Sequence, residues 1–427
     1  MFNKIQKLKS LLIVALAALA IYQTGQLWFV HITQRNVFVE LAAFWGRGVP
    51  DGYADIARPT RVIFGNGDGR FDMRYGTASP PADEAIAEIL RRGVFGGVLY
   101  AGDALYEALG GPVIIYEYVF PMRAEIFALA FNQRSGAALT DRGLETFYAV
   151  AVLPGGVLFF DDEQAWRFNL PSGALDLGYF EIDTGLFFVH YAHRVFLPRT
   201  QTGWRHGALE MTNPYINQRS GEVELGSVNA QVGRFFSNPA VRNPRMVDNV
   251  ITISTLNTVV RYLPGNVLEF SCFRPVRRNN PPDFMTDFSA ALAFVYSDPH
   301  IGPQGETPFF LVGYEARGRT HVFWFNYVIG GMEEGGFPLL VPEEGWGAPH
   351  DPLRYPIEVI VDHGHVTRYR KLAFTFRPDM TQQHILFPSA LQPQGEGRLL
   401  AMGYPPLPGA GLELRWARPA HAPEDER

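Results

Sequence analysis

The residues that could perform chemistry are few and lie far apart in this chain of 427 residues. A hydrolase needs a nucleophile held beside a base, and the sequence contains neither Gly-x-Ser-x-Gly nor Ser-x-x-Lys. Cys272 is the single cysteine and falls within a strand-like segment. We therefore interpret Cys272 as an inert buried thiol and not as a nucleophile.

Two pairs of histidines are close enough in sequence to suggest a metal site. His190 and His193 lie in a strand-like region, where side chains alternate, so a spacing of three points them to opposite faces. His363 and His365 flank Gly364 in a predicted turn and could converge. Two imidazoles without a cysteine ligand make a weak site, so we predict no bound metal.

Paired glutamates and alternating glycines suggest two further chemistries. The glutamate pairs at 333–334 and 343–344 could serve a glycoside hydrolase only at a defined separation, and we interpret them as solvated loop charges. The glycines between Gly65 and Gly69 precede no helix, which a phosphate-binding loop requires, so we expect a hairpin turn there. The chain is therefore expected to have no catalytic residue, no cofactor and no enzymatic activity.

Composition restricts the partners and the compartment. The net charge is −6, and the 37 basic and 43 acidic residues are mixed along the chain. No basic patch suits nucleic acid, so we exclude it as a partner. One cysteine allows no intrachain disulfide, and no Asn-x-Ser/Thr sequon is present. Both features fit the outer face of a bacterial cytoplasmic membrane.

An apolar stretch at residues 10–30 predicts a membrane anchor. It carries no charge and is about twenty residues long, which is the length that one helix needs to cross a bilayer. Lys4, Lys7 and Lys9 precede it, so we expect the N-terminus to be cytoplasmic and the bulk of the chain to be extracytoplasmic. Polar and small residues in a span can contact another membrane helix. The residues assigned to the span and to this contact are Leu11, Leu12, Val14, Leu16, Leu19, Tyr22, Gln23, Thr24, Gly25, Gln26, Trp28 and Phe29.

A cleavable signal peptide is the alternative for this stretch. Its continuous apolar part is short, and Ala18-Leu19-Ala20 fits an A-x-A cleavage site. We prefer the anchor because Trp28 and Phe29 lie where a span would leave the hydrocarbon, and tryptophan is typical of that interface.

The remaining pattern predicts short strands, many turns and a few helices. Ser79 is expected to cap a helix that ends at Gly93. Further helices are predicted over residues 103–109 and 122–131, over residues 227–236 with Ser227 as the cap, and over residues 286–296. Hairpins are expected within residues 250–273 and 355–376.

The predicted fold class is α+β, with an N-terminal transmembrane helix followed by a three-domain extracytoplasmic region of antiparallel sheets and a few packed helices. The predicted divisions are a cytoplasmic tail (1–9), the transmembrane helix (10–30), an N-terminal domain (31–195), a middle domain (196–282), a C-terminal domain (283–418) and a loose tail (419–427).

Three passages resemble the YycH family, accessory regulators of an essential cell-envelope sensor kinase in Gram-positive bacteria. The first is the run Val-Gly-Arg-Phe-Phe-Ser-Asn-Pro-Ala-Val-Arg at 232–242. The second joins Thr-Val-Val-Arg-Tyr at 258–262 to Val-Leu-Glu-Phe at 267–270. The third, residues 355–370, is similar to a hairpin ending that YycH shares with its relative YycI. The signature positions are Phe235, Phe236, Asn238, Pro239, Arg242, Ile357, Val359, Gly364, Val366 and Tyr369.

The resemblance implies a single-pass membrane protein with three outer domains, the last of them YycI-like. It implies binding to a YycI-like protein and to a WalK-type sensor histidine kinase, with the membrane helices in contact with the kinase helices. The signature positions look like turn and packing residues and not like catalytic ones. We therefore expect a membrane-anchored regulator of a two-component system. The alternative is an extracytoplasmic envelope enzyme or ligand-binding protein.

Overall fold

Apolar runs in the sequence form two large antiparallel sheets, and a few helices pack against them. The α+β class is thereby confirmed. The computed structural model describes residues 56–68, 71–75, 79–100, 103–133, 136–161, 164–170, 175–178, 186–188, 196–198, 204–217, 222–236, 242–273, 283–298, 300–301, 309–329, 337–338, 352–386, 401–403 and 415–417.

Within the described residues, the first part of the chain supplies nine strands and four helices. They are β1 (Arg61–Asn66), β2 (Phe71–Tyr75), α1 (Pro80–Arg92), β3 (Val94–Tyr100), α2 (Asp103–Leu109), β4 (Pro112–Arg123), α3 (Ala124–Ala130), α4 (Ala137–Thr140), β5 (Thr146–Leu153), β6 (Gly156–Phe160), β7 (Gln164–Asn169), β8 (Leu186–Phe188) and β9 (Phe196–Pro198). The strands form one sheet in the order β3-β7-β6-β5-β4-β1-β2-β8-β9. β1 and β2 pair as the hairpin that the glycine-rich turn predicted.

Helix α1 packs on this sheet through an apolar face. Tyr116 on β4 anchors its first turn, because the phenol donates to Oδ1 of Asp83 at 2.8 Å and accepts from the backbone N–H of Ser79 at 3.0 Å. The Ser79 side chain makes no capping hydrogen bond, so that expectation was wrong and Tyr116 takes over the anchoring. The buried residues of the helix are Ala82, Ala85, Ile86, Ile89 and Leu90.

The second part supplies the other large sheet. Its elements are β10 (Trp204–Thr212), α5 (Leu225–Gln231), a 3-10 turn (Gly233–Phe235), β11 (Asn243–Val247), β12 (Val250–Ser254), β13 (Thr258–Leu263), β14 (Val267–Cys272), α6 (Phe284–Tyr296), β15 (Phe309–Arg317), β16 (Thr320–Ile329), β17 (Phe337–Pro338), β18 (Ile357–Asp362), β19 (His365–Leu372), β20 (Thr375–Leu386), β21 (Ala401–Gly403) and β22 (Arg415–Ala417). The sheet order is β11-β12-β13-β14-β19-β18-β16-β15, with β17 on β16, while β10 pairs with β20 and β21 with β22.

This second sheet crosses the boundary that the sequence placed at residue 282. β14 lies before that position and pairs with β19 after it, with Phe270 opposite Tyr369. Helix α6 lies between them in sequence and covers the sheet with Phe288, Ala291 and Leu292. The predicted middle and C-terminal regions therefore share one sheet. If they formed separate sheets, β14 and β19 would be edge strands with unpaired backbone N–H and C=O groups, and their pairing satisfies those groups.

The helix before this sheet is shorter than the sequence predicted. Helix α5 begins after Glu224, whose side chain accepts from the Ser227 backbone, while Ser227 Oγ accepts from the Glu224 N–H at 3.2 Å. Ser227 is thus inside the first turn and is not the cap. The helix ends at Gln231, and the chain then tightens into a 3-10 turn that ends at Phe235.

The two large sheets meet at the end of β4. Tyr314 of β15 donates a hydrogen bond to the carbonyl of Pro121 at 3.0 Å, and its ring lies 6.1 Å from that of Phe120. The guanidinium of Arg123 stacks 4.3 Å above the ring of Phe284, the first residue of α6. One continuous apolar core therefore includes residues of both sheets.

Candidate functional site

Phe235 brings the three passages at 232–242, 258–270 and 355–370 into one aromatic core. Its ring centroid lies 5.5 Å from Phe270 of the second passage and 6.1 Å from Tyr369 of the third. Phe294 of α6 lies 5.8 Å away and closes the group. The passages are separated by tens to about a hundred residues in sequence. Their convergence is therefore a property of the tertiary fold.

The sheet pairing explains how the second and third passages become neighbours. Both are antiparallel hairpins, β13–β14 and β18–β19, and they join edge to edge through β14 and β19. Side chains alternate between the faces of a strand, so Phe270 and Tyr369 point to the same face. The 3-10 turn of the first passage and helix α6 cover that face.

A buried ionic cluster centred on Asp298 adjoins this aromatic core. Oδ2 of Asp298 lies 2.7 Å from Nζ of Lys371, contacts Nη2 of Arg234, and accepts from the Tyr369 hydroxyl at 3.3 Å. Oδ1 accepts from the backbone N–H of His300 at 3.1 Å. The Asp298 carboxylate thus ties the end of α6 to β19 and to the 3-10 turn.

Burial and charge act in opposite directions in this cluster. Burial alone would raise the pKa of Asp298, but the charges of Lys371 and Arg234 hold that pKa below its ordinary value. Burial lowers the pKa of Lys371, and Asp298 opposes that effect. The Lys371 ammonium also lies 5.3 Å from the ring centroid of Tyr215, which favours a cation there. A buried carboxylate that accepts from donors on several segments cross-links those segments.

A second buried polar contact fixes the start of α6. Asp287 is fully buried in the first turn of the helix, and its Oδ2 lies 2.6 Å from Nδ1 of His321 on β16. Its Oδ1 accepts from the backbone N–H of Gly364, in the turn between β18 and β19. The Gly364 backbone has a φ of +76°, which glycine adopts without the steric cost of a Cβ.

We expect Asp287→Asn to lower the free energy of unfolding by about 1–3 kcal/mol. The carboxylate accepts hydrogen bonds from both His321 and Gly364, whereas the single oxygen of the amide can accept from only one of them. Urea unfolding followed by tryptophan fluorescence measures this change. The exposed N-cap variant Asp283→Asn is the matched control, since asparagine caps helices about as well as aspartate. Equal effects of the two substitutions would contradict the role given to Asp287.

The signature positions that the structure describes are packing and turn residues. Arg242 donates from Nη1 to the carbonyl of Asn229 at 2.7 Å and so ties the start of β11 to helix α5. Asn238 and Pro239 lie outside the described residues. Phe236, Ile357 and Val359 are buried, and Val366 is half-buried against the core.

The proposed membrane residues, Leu11, Leu12, Val14, Leu16, Leu19, Tyr22, Gln23, Thr24, Gly25, Gln26, Trp28 and Phe29, also lie outside the described residues. None of the helices in the described part of the chain is long and apolar enough to span a bilayer.

The other residues considered for chemistry do not form a common centre in the described ranges. Cys272 is half-buried at the end of β14 and packs against the core. His363 is buried and contacts Asp362 through Nδ1, while His365 is half-buried on β19. No group of three or more metal-ligating side chains is placed to hold a metal among the described residues. His190, His193 and the glutamate pairs at 333–334 and 343–344 lie outside them.

The sequence interpretation missed the Asp298 cluster, although one signal for it was present. Lys371 follows Tyr369 by two residues in the same strand, so the period of two places both side chains on the buried face. A lysine on that face needs a charged or hydrogen-bonding partner. Its partner, Asp298, is 73 positions away in sequence, and no local pattern identifies it.

Comparison with known proteins gives no relative for this chain. No protein-family model, curated protein or solved structure matches it.

Proposed function

We propose that this chain is a single-pass membrane protein that regulates a two-component system by binding. Its partners would be a WalK-type sensor histidine kinase and a YycI-like protein, and it would catalyse no reaction. The N-terminus would lie in the cytoplasm and the two large sheets outside the membrane.

The convergence of the YycH-like passages supports this proposal. The passages were selected as sequence similarities, and Phe235, Phe270 and Tyr369 pack together although nothing in their spacing required it.

The mechanism that we propose is a population shift. A sensor kinase has at least two conformations, and a partner that binds one of them better moves the equilibrium towards it. A differential affinity of about 1–3 kcal/mol is sufficient for a several-fold change in kinase activity. In this proposal the membrane helix contacts the kinase helices, with Gln23, Thr24, Gly25 and Gln26 on the contact face.

Co-purification from membranes tests the proposal. We expect the full chain to capture both the kinase and the YycI-like protein, and a chain truncated before Leu27 to lose the kinase. The double variant Gln23→Leu/Gln26→Leu should reduce kinase capture roughly eightfold, because interhelical hydrogen bonds in membranes contribute on average about 0.6 kcal/mol each, or about 1.2 kcal/mol for two. Val14→Leu in the same span is the matched control and should leave capture unchanged.

Two outcomes would overturn parts of the proposal. Failure of the full chain to capture either partner would exclude the regulatory function and leave an envelope enzyme or ligand-binding protein. Equal capture by the full and truncated chains would exclude the role of the membrane helix and place binding in the outer sheets.

A further inference from the structure

Lys371 is an unusual basic residue in this chain. Of the 37 lysine and arginine residues, every one after Lys9 is an arginine except Lys371. Arginine suits a buried ion pair, because its planar guanidinium can hold a carboxylate through two parallel hydrogen bonds and stays charged. A buried lysine, in contrast, can lose a proton and become a nucleophilic amine. The single lysine in this part of the sequence therefore points to chemistry that an amine can perform and a guanidinium cannot.

The surroundings of Lys371 favour the neutral amine. The residue is 2% exposed, and burial lowers the pKa of its amine, an effect that Asp298 opposes. Aromatic residues lie on the same side of the sheet, since Nζ of Lys371 is 5.3 Å from the ring centroid of Tyr215 and Tyr369 lies two positions earlier in β19. The Asp298 side chain is fully buried, so bulk water does not reach the pair.

Asp298 is placed as the electrophile for this amine. Nζ of Lys371 lies 2.7 Å from Oδ2 of Asp298, and Oδ2 is bonded to Cγ, so the nitrogen lies next to the carbon that it would attack. Nη2 of Arg234 also contacts Oδ2, and the backbone N–H of His300 donates to Oδ1 at 3.1 Å. Donors fixed at both oxygens can stabilise the negative charge that develops when an amine adds to a carboxyl carbon.

We propose that Lys371 and Asp298 form an intramolecular isopeptide bond between Nζ and Cγ. One proton first passes from Nζ to Oδ2, which turns the ion pair into an amine and a carboxylic acid. Nζ then adds to Cγ, a second proton passes from Nζ to Oδ2, and the Cγ–Oδ2 bond breaks to release water. The product is a secondary amide whose nitrogen keeps one proton, so the reaction needs no oxidant, reductant or co-reactant.

The bond would close a covalent loop from residue 298 to residue 371. It would join the end of α6 to β19 across the strands that lie between them in sequence. Like a disulfide, such a cross-link restricts the unfolded chain, and a chain with one cysteine cannot form an intrachain disulfide. The ion pair is the reactant state, so the charge-dependent stability of the Asp298 cluster belongs to the chain before the bond forms.

Mass spectrometry of the full chain tests the bond. We expect the purified chain, after incubation at neutral pH, to be lighter than its sequence mass by one water molecule. Fragmentation of a tryptic digest should identify the peptide that contains Asp298 joined to the peptide that begins at Lys371. The Lys371–Leu372 bond should stay uncut, because trypsin does not cleave after an acylated lysine.

Two variants locate the reaction at this pair. Lys371→Arg keeps the positive charge but has no amine, so its mass should equal its sequence mass. Asp298→Asn presents the same carbon with ammonia as the leaving group, so any linked product that it forms must be identical in mass to the linked native chain. In heated SDS, the linked native chain should migrate faster than Lys371→Arg, because the closed loop makes the denatured chain more compact.

The native chain alone can overturn the proposal. A full sequence mass after prolonged incubation, with the Asp298 and Lys371 peptides recovered separately, would exclude the bond, whether or not the variants fold. Loss of one water from both the native chain and Lys371→Arg would place the dehydration at another residue and would exclude the bond as well.

Discussion

Asp298→Asn is expected to lower the free energy of unfolding by about 3–5 kcal/mol, the cost of removing one partner from a buried ion pair. The substitution keeps the shape of the side chain and removes its charge. Lys371 is 2% exposed and would remain buried beside Arg234 without a counter-charge. Urea unfolding followed by tryptophan fluorescence measures the effect.

Two controls separate burial from charge in this prediction. Glu315→Gln removes the acid of an exposed ion pair with Arg317 and should change stability by less than about 1 kcal/mol. Adding Lys371→Met to Asp298→Asn should recover part of the loss, because it removes one of the uncompensated cations. An Asp298→Asn variant as stable as the Glu315→Gln variant would contradict the ionic cross-link.

The Asp298 cluster should make the free energy of unfolding depend on pH. Burial would raise the pKa of Asp298, but the charges of Lys371 and Arg234 hold that pKa below its ordinary value. A carboxylate with a depressed folded-state pKa contributes its full stability above its unfolded pKa of about 4 and loses it as the pH falls through the folded value. The stability difference between the native chain and Asp298→Asn should therefore shrink below about pH 4.

Phe235→Ala should cost about 3–5 kcal/mol, the usual range for removing a phenylalanine from a packed core. The loss should be near the upper end because Phe270, Phe294 and Tyr369 come from three different segments and cannot all move into the cavity. Arg234 would also lose the ring that its guanidinium covers at 4.3 Å.

Phe273→Ala is the matched control for Phe235→Ala, because it deletes the same side chain at a position that is 64% exposed. Surface substitutions usually change stability by less than about 0.5 kcal/mol. Chemical denaturation of both variants gives the comparison. Similar losses of unfolding free energy for the two variants would mean that the packing of Phe235 against Phe270, Phe294 and Tyr369 does not stabilise the fold.

These two residues also bear on the regulatory proposal. Phe235 and Asp298 hold the 3-10 turn, helix α6 and strand β19 together. If the outer sheets act as one body on a kinase, loosening this core should weaken regulation without any change in the membrane helix. Co-purification of the partners with the Phe235→Ala variant, at a low temperature where the variant remains folded, tests this. Unchanged capture would assign binding to the membrane helix, and reduced capture would assign it to the outer sheets.

Local sequence patterns predicted most individual elements but only part of their connections. The helix after Ser79 and the hairpin around Gly364 were confirmed, because a proline in the first helical turn, turn glycines and side-chain periodicity act within a few positions. Helix α5 came out shorter than predicted, since the reciprocal hydrogen bonds of Glu224 and Ser227 set its start. Such hydrogen bonds depend on side-chain geometry that periodicity does not contain.

By itself, the sequence determined the α+β class and the alternation of buried and exposed residues in the strands. It also showed that the chain has neither Gly-x-Ser-x-Gly nor Ser-x-x-Lys, the two nucleophile motifs considered. Only the tertiary structure decided that β14 pairs with β19, that Lys371 meets Asp298, and that Leu256 and Phe273 share one end of a sheet. The physical reason is the separation in sequence over which each kind of interaction acts. Propensities, caps and turns are set by neighbours in the chain, whereas strand pairing and buried ion pairs join residues that are far apart and gain stability only when the whole core forms.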